Sequence, residues 1–177
     1  VVVDPRRTET AKVADAHHFI RPGTDAFVLL AMVNVLFAEG LAKPGRLAEF
    51  TDGIDAVRAA VATFTPERAA VQSGLDAEII RALTREIAGA KRAAVYGRMG
   101  ISTQAFGTLC NWAIQLLNLL TGNLDREGGT LLAHPAIEAG MAPRGAGGFA
   151  RWHSRIRGLP EFSGNLPVAA LAEEILT

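Results

Sequence analysis

The sequence predicts an α/β fold in which a parallel sheet carries helices packed against it, and it predicts a part of a domain rather than a whole one. Three observations carry this. Val1-Val2-Val3 is a β-branched run with no polar face, the pattern of a strand covered on both sides in a parallel sheet. Ala93-Ala94-Val95-Tyr96 is a second such strand, leading into the glycine turn Gly97-Arg98-Met99-Gly100 and then into a helix. Strand, glycine turn and helix together aim backbone N–H groups at an anion or a dinucleotide. Between the two strands lie helical segments with their own start and stop signals.

The first strand ends at Asp4-Pro5, because proline donates nothing to a ladder and pushes the residue before it into an extended shape. An acidic residue at the carboxyl end of a parallel strand stands where open α/β sheets bind nucleotides. Arg6 and Arg7 follow as fixed donors suited to phosphate or a carbonyl. Residues 8–14 read as a short helix capped by Thr8, and residues 17–20 as a short strand. His17 and His18 fall on opposite faces of that strand, which argues against a shared metal. Pro22-Gly23-Thr24-Asp25 is a second tight turn, with Thr24 or Asp25 as the cap of a helix over 26–39 that is apolar almost all round. Two turns of this chemistry so close in sequence suggest one binding rim. A plainer account keeps Arg6 and Arg7 as solvated loop residues and Asp25 as a cap only.

Short helices follow over 43–50 and 53–64, with Thr51-Asp52-Gly53 as the turn between them. Thr65-Pro66 opens a further helix, Gly74 closes it, and Asp76 opens the next, whose Ile79, Ile80, Leu83 and Ile87 share one face. The last long helix is expected over 104–120 and ends in Thr121-Gly122-Asn123. From 131 to 166 periodicity gives way to scattered proline and glycine with Arg144, Arg151, Arg155 and Arg157, and a stretch this long reads as a functional or disordered loop. Arg151-Trp152-His153 is the part of it that could approach a substrate. The domain boundary is drawn at 130/131.

The balance of 18 basic against 18 acidic residues gives no reason to expect a nucleic-acid partner. One cysteine, Cys110, rules out an internal disulfide framework or a cysteine cage within the chain, and mid-helix beside leucine it reads as a small buried hydrophobe. No apolar run is long enough to span a bilayer. A strand at residue 1 and a helix over 168–176 that stops without a cap lead us to expect a piece of a longer polypeptide.

The runs VVVDPRRTETAKVAD and IRPGTDAFVLLAMVNVLFAEGL resemble the molybdopterin oxidoreductases, a family of formate dehydrogenases, nitrate reductases and dimethyl sulfoxide reductase relatives. TGN followed by Gly128-Gly129 is another stretch similar to that family. The resemblance covers roughly residues 1–130 and implies a Rossmann-like domain. It implies that Asp4, Pro5, Arg6, Arg7 and Thr8, with Gly23, Thr24 and Asp25, hold the guanosine end of a molybdopterin guanine dinucleotide. It places Met99, Gly100 and either Thr103 or Gln104 against the pterin. The implied cofactor is molybdenum bis(molybdopterin guanine dinucleotide), with a 4Fe-4S cluster elsewhere in the full-length enzyme. The residue that ligates the metal would precede residue 1, so the chain alone is expected to turn nothing over. The implied partners are the rest of the polypeptide and electron-transfer subunits. The implied reaction is two-electron chemistry of the formate or nitrate type. A stand-alone dinucleotide-binding module without redox activity is the alternative. The compartment stays open between cytoplasm and periplasm, with a lean to the cytoplasm.

Overall fold

The computed structural model describes residues 1–132, 149–162 and 164–176. The chain divides into two compact units, Val1–Leu132 and Ala133–Thr177.

The first unit opens on a small parallel βαβ arrangement. Strand β1 (Val2–Val3) pairs with β2 (His17–His18), Val2 opposite His17 and Val3 opposite His18. Bonds from Val2 N–H to the Ala16 carbonyl (2.9 Å) and from Asp4 N–H to the His18 carbonyl (3.1 Å) extend the ladder. The crossover contains helix α1 (Glu9–Val13), where the Thr8 hydroxyl accepts from Ala11 N–H at 3.3 Å as expected of a cap. β1 thus has a parallel partner within the chain. It is not covered on both faces, since Val1 is 55% and Val3 39% exposed.

The second expected strand, residues 93–96, belongs to no sheet among the described residues. Two buried asparagines do the pairing instead. Val95 N–H donates to Asn118 Oδ1 at 2.8 Å, and Asn118 Nδ2 donates back to the Val95 carbonyl at 2.8 Å. Ala93 N–H donates to Asn123 Oδ1 at 3.2 Å. A side-chain carboxamide carries the same donor and acceptor as a peptide group, so Asn118 stands in for a neighbouring strand.

Helix α2 (Asp25–Ala38) is the centre of the core, as its all-round apolar sequence requires. It packs against α3 (Ile54–Val61), α4 (Pro66–Ser73), α5 (Ala77–Gly89) and α7 (Gly107–Leu120). Val33, Leu36, Ile80, Leu117 and Leu120 are fully buried where these helices meet. The caps follow the sequence: Thr65 accepts from Arg68 N–H at 3.4 Å, and Asp76 from Glu78 N–H at 2.7 Å. Gly74 ends α4 with φ +77°, a conformation that favours glycine. Residues Gly45–Phe50 form a 3₁₀ helix rather than an α-helix.

The helix expected over 104–120 starts later than expected and then runs unbroken to Leu120. A single turn, α6 (Met99–Ser102), is followed by α7 starting only at Gly107. The junction is tight, and a Cβ on Gly107 would run into the Ser102 carbonyl.

In the second unit, β3 (Phe149–His153) and β4 (Pro160–Phe162) form an antiparallel pair, followed by a 3₁₀ turn (Val168–Ala170) and α8 (Leu171–Leu176). Part of the expected loop is thus a hairpin, which period-2 patterning missed because it is held by a charge. The buried Glu161 carboxylate pairs with the Arg151 guanidinium at 2.8 Å and accepts from Arg151 N–H at 3.2 Å and from Gly164 N–H. Pro135, Gly140, Pro143 and Arg144 of the expected loop lie outside the described residues.

Candidate functional site: three turns at the end of the parallel pair

The first turn follows β1. Asp4 Oδ1 accepts from Arg6 N–H at 2.7 Å, closing the bend at Pro5. His17 Nε2 donates to the Asp4 carbonyl at 3.0 Å, while its ring meets Phe19 edge-on at 4.4 Å. The histidine therefore ties the turn to β2. Arg6 and Arg7 are exposed, and among the described residues neither guanidinium has a hydrogen-bond or ion-pair partner.

The second turn follows β2. Arg21 N–H donates to the Ser73 carbonyl at 2.8 Å, and its guanidinium donates to the carbonyls of Val71 and Gln72, anchoring the turn on α4. Gly23 takes φ +81°. Thr24 occupies the cap position of α2, yet its hydroxyl donates to the Arg21 carbonyl at 2.6 Å. The Thr24 carbonyl accepts from Phe27 N–H at 3.0 Å, but neither the Thr24 nor the Asp25 side chain accepts from the first N–H groups of α2, so the expected side-chain cap is not made.

The third turn, Gly97–Gly100, leads into α6. Gly97 is packed so closely that a Cβ would meet the side chains of Ile101 and Ile114. Met99, Gly100 and Thr103 are exposed, and the Thr103 hydroxyl donates back to the Met99 carbonyl at 2.8 Å. Gln104 is half-buried and reaches away from its own segment. Its Nε2 donates to Asp25 Oδ2 at 3.1 Å and also to the Gly100 carbonyl. This bond joins the second and third turns across 79 residues of sequence. The resemblance leaves both Thr103 and Gln104 open as the residue against the pterin; here Gln104 bonds to Asp25, while the Thr103 hydroxyl stays within its own turn.

β1, Asp25, residues 92–97 and α5 surround an open cavity of about 440 Å³. Val1, Val3, Ile20, Val95 and Tyr96 give it a mostly apolar wall, to which Asp25, Glu86 and Arg92 add charged groups.

The family model for molybdopterin oxidoreductases matches residues 1–148. The chain belongs to the molybdopterin oxidoreductase family. It is 34% identical over 128 residues to the F420-dependent formate dehydrogenase subunit alpha of Methanocaldococcus jannaschii, covering 72% of this chain and 19% of that protein. It is 38% identical over 137 residues to the nitrate reductase of Symbiobacterium thermophilum, covering 72% of this chain and 18% of that one. Acetylene hydratase from Pelobacter acetylenicus superposes with a TM-score of 0.63 at 28% identity, over 68% of this chain and 16% of that chain. The chain spans about a fifth of the length of these curated relatives.

Within this oxidoreductase segment the donor set suits an anionic, hydrogen-bonding cofactor. Two uncommitted guanidinium groups stand on the first turn and a half-buried carboxylate on the second. Cys110 does not suit a metal. Burial, and next the negative charge of Asp25, pushes its thiol up, away from the thiolate a metal binds. Asn118 and Asn123, which hold the third turn's approach in place, carried a sequence signal of their own: polar residues at otherwise apolar helix positions, and the Asn of Thr121-Gly122-Asn123. Gly129 closes that feature, for a Cβ there would strike the Asn123 backbone.

Proposed function

We propose that this chain is the part of a molybdenum bis(molybdopterin guanine dinucleotide) oxidoreductase that holds the guanosine end of the dinucleotide. The supporting observation is the Gln104–Asp25 bond, which draws two turns distant in sequence into one rim. Asp25 accepts from the base, Arg6 and Arg7 meet phosphate or ribose, and Asp4, Pro5, Thr8, Gly23 and Thr24 shape the backbone around them. Met99 and Gly100 lie toward the pterin. The bound metal centre supplies the two-electron chemistry, and the residues of this chain bind and orient.

The proposal includes a Rossmann-like parallel sheet in the whole protein. Val1, Val3 and residues 93–96 line one cavity, and the backbone N–H groups of Ala94 and Tyr96 have no partner among the described residues. The proposed whole enzyme performs formate- or nitrate-type chemistry with an electron-transfer partner and a 4Fe-4S cluster. Relatives named for formate, nitrate and acetylene share this segment, so the choice of substrate resides elsewhere. The isolated chain is inactive in this account. Formate oxidation with a dye acceptor, catalysed by the 177 residues alone, would refute that.

Two measurements test the proposal. Intact mass and metal content of the native gene product should give a mass several times 18.7 kDa with molybdenum or tungsten and iron. A metal-free product near 18.7 kDa leaves the dinucleotide-binding module alone. Calorimetric titration should show GDP bound in preference to ADP, with Asp25→Asn reducing that preference by about 1–3 kcal/mol. Equal loss for both nucleotides would reduce Asp25 to a structural residue of α2.

A further inference from the structure

We propose that Gln104 is a positioning residue for base selection, holding the Asp25 carboxylate in the orientation that accepts from a guanine edge. The inference rests on the guanine-binding function proposed above and adds to it the residue through which Asp25 acts.

The chemistry of the contact settles which way the amide lies. Gln104 Nε2 faces two acceptors, Asp25 Oδ2 at 3.1 Å and the Gly100 carbonyl. A flipped amide would set its oxygen against both, with no hydrogen between them, so the NH₂ group must take that place. Both of its hydrogens are then used, and the side chain is pinned between the third turn and α2. Its oxygen points toward the second turn, 3.7 Å from where a Cβ on Gly23 would lie. A Cβ there would make only ordinary contact with it, and what favours glycine at that position is its φ of +81°.

Asp25 is otherwise loosely held. Gln104 is its sole side-chain hydrogen-bond partner among the described residues, and Thr24, its neighbour, is committed to the Arg21 carbonyl. A half-buried carboxylate with one fixed oxygen presents the other in a defined direction. An ionised carboxylate offers about four lone-pair sites, so a bond from Gln104 leaves capacity for the adjacent N1–H and N2–H donors of guanine. Adenine carries no such donor pair on that edge and gains nothing from the alignment. Removing Gln104 frees the carboxylate to rotate toward water. The loss falls on discrimination between bases, while contacts to phosphate are untouched.

The test is a double-mutant cycle on the 177-residue chain, with GDP and ADP as probes in calorimetric titration at fixed salt. In Gln104→Met the preference for GDP over ADP should fall about tenfold, with ADP affinity unchanged. The Asp25→Asn/Gln104→Met pair should lose no more preference than Asp25→Asn alone, because the two residues act as one unit. Gln104→Glu, nearly isosteric, replaces the donor with a second carboxylate and should abolish the preference as well. It decides the matter if the Met variant does not fold. Full preference in either folded variant, or additive losses in the cycle, overturns the positioning role and leaves guanine binding standing. Absence of any preference in the unsubstituted chain removes the guanine-binding function, and this inference with it.

Discussion

Asn118 shows how far a single side chain can organise this molecule. It is fully buried in α7 and satisfies both the N–H and the carbonyl of Val95, so residues 93–96 are held in place with no strand beside them among the described residues. Asn118→Ala leaves a donor and an acceptor without partners, at a cost of about 2 kcal/mol or more. Asn118→Asp keeps an acceptor for Val95 N–H but sets a buried carboxylate against the Val95 carbonyl, so it should cost at least as much as Asn118→Ala. Urea unfolding checks the order. An Ala variant as stable as the unsubstituted chain would mean that water replaces the carboxamide at no cost. The sequence displayed Asn118 among leucines, yet nothing in its spacing says which backbone it serves.

Helix starts are the most legible elements of the chain. Thr8, Thr65 and Asp76 cap α1, α4 and α5 as their positions require, since an N-cap is a local bond that needs no tertiary partner. Thr65→Ala should therefore cost about 1 kcal/mol, read as a lower urea midpoint with an unchanged slope. No change would mean that Pro66 and packing alone define the start of α4. Thr24 is the instructive exception. Its residue type and position predict a cap, but its hydroxyl donates to the Arg21 carbonyl and makes no cap bond to α2. Likewise α7 starts late because Gly107 must pass close under the Ser102 carbonyl, a steric event with no periodic signature.

Across the molecule, ion pairs set the response to acid. The Arg85 guanidinium lowers Glu39, joining the end of α2 to α5 through two bonds at 2.7 and 2.8 Å. Arg81 holds Glu67 down to about 2, and Arg151 holds Glu161 down to about 2. A carboxyl depressed in the folded state stabilises fully above its ordinary value near 4.5. That contribution fades as pH falls toward about 2 and is absent below it. Stability measured by urea titration should thus decline through this window. Glu161→Gln should flatten the decline for tryptophan fluorescence, because Trp152 lies beside the pair, with the Arg151 guanidinium 4.9 Å from its ring. An unaltered slope in that variant would show that the pair adds no pH dependence.

The local signals, namely caps, apolar helix faces, glycine turns and the motifs shared with a family, were sufficient to place most of the helices and the membership of the chain. Those features depend on a few neighbouring residues or on patterns that recur as a block. Tertiary structure alone decided that Gln104 rather than Thr103 meets Asp25, that two asparagines replace a strand, and that Glu161 and Arg151 build a hairpin in an aperiodic stretch. Each of these joins groups whose partner is defined by distance in space, and a one-dimensional pattern carries no record of that distance.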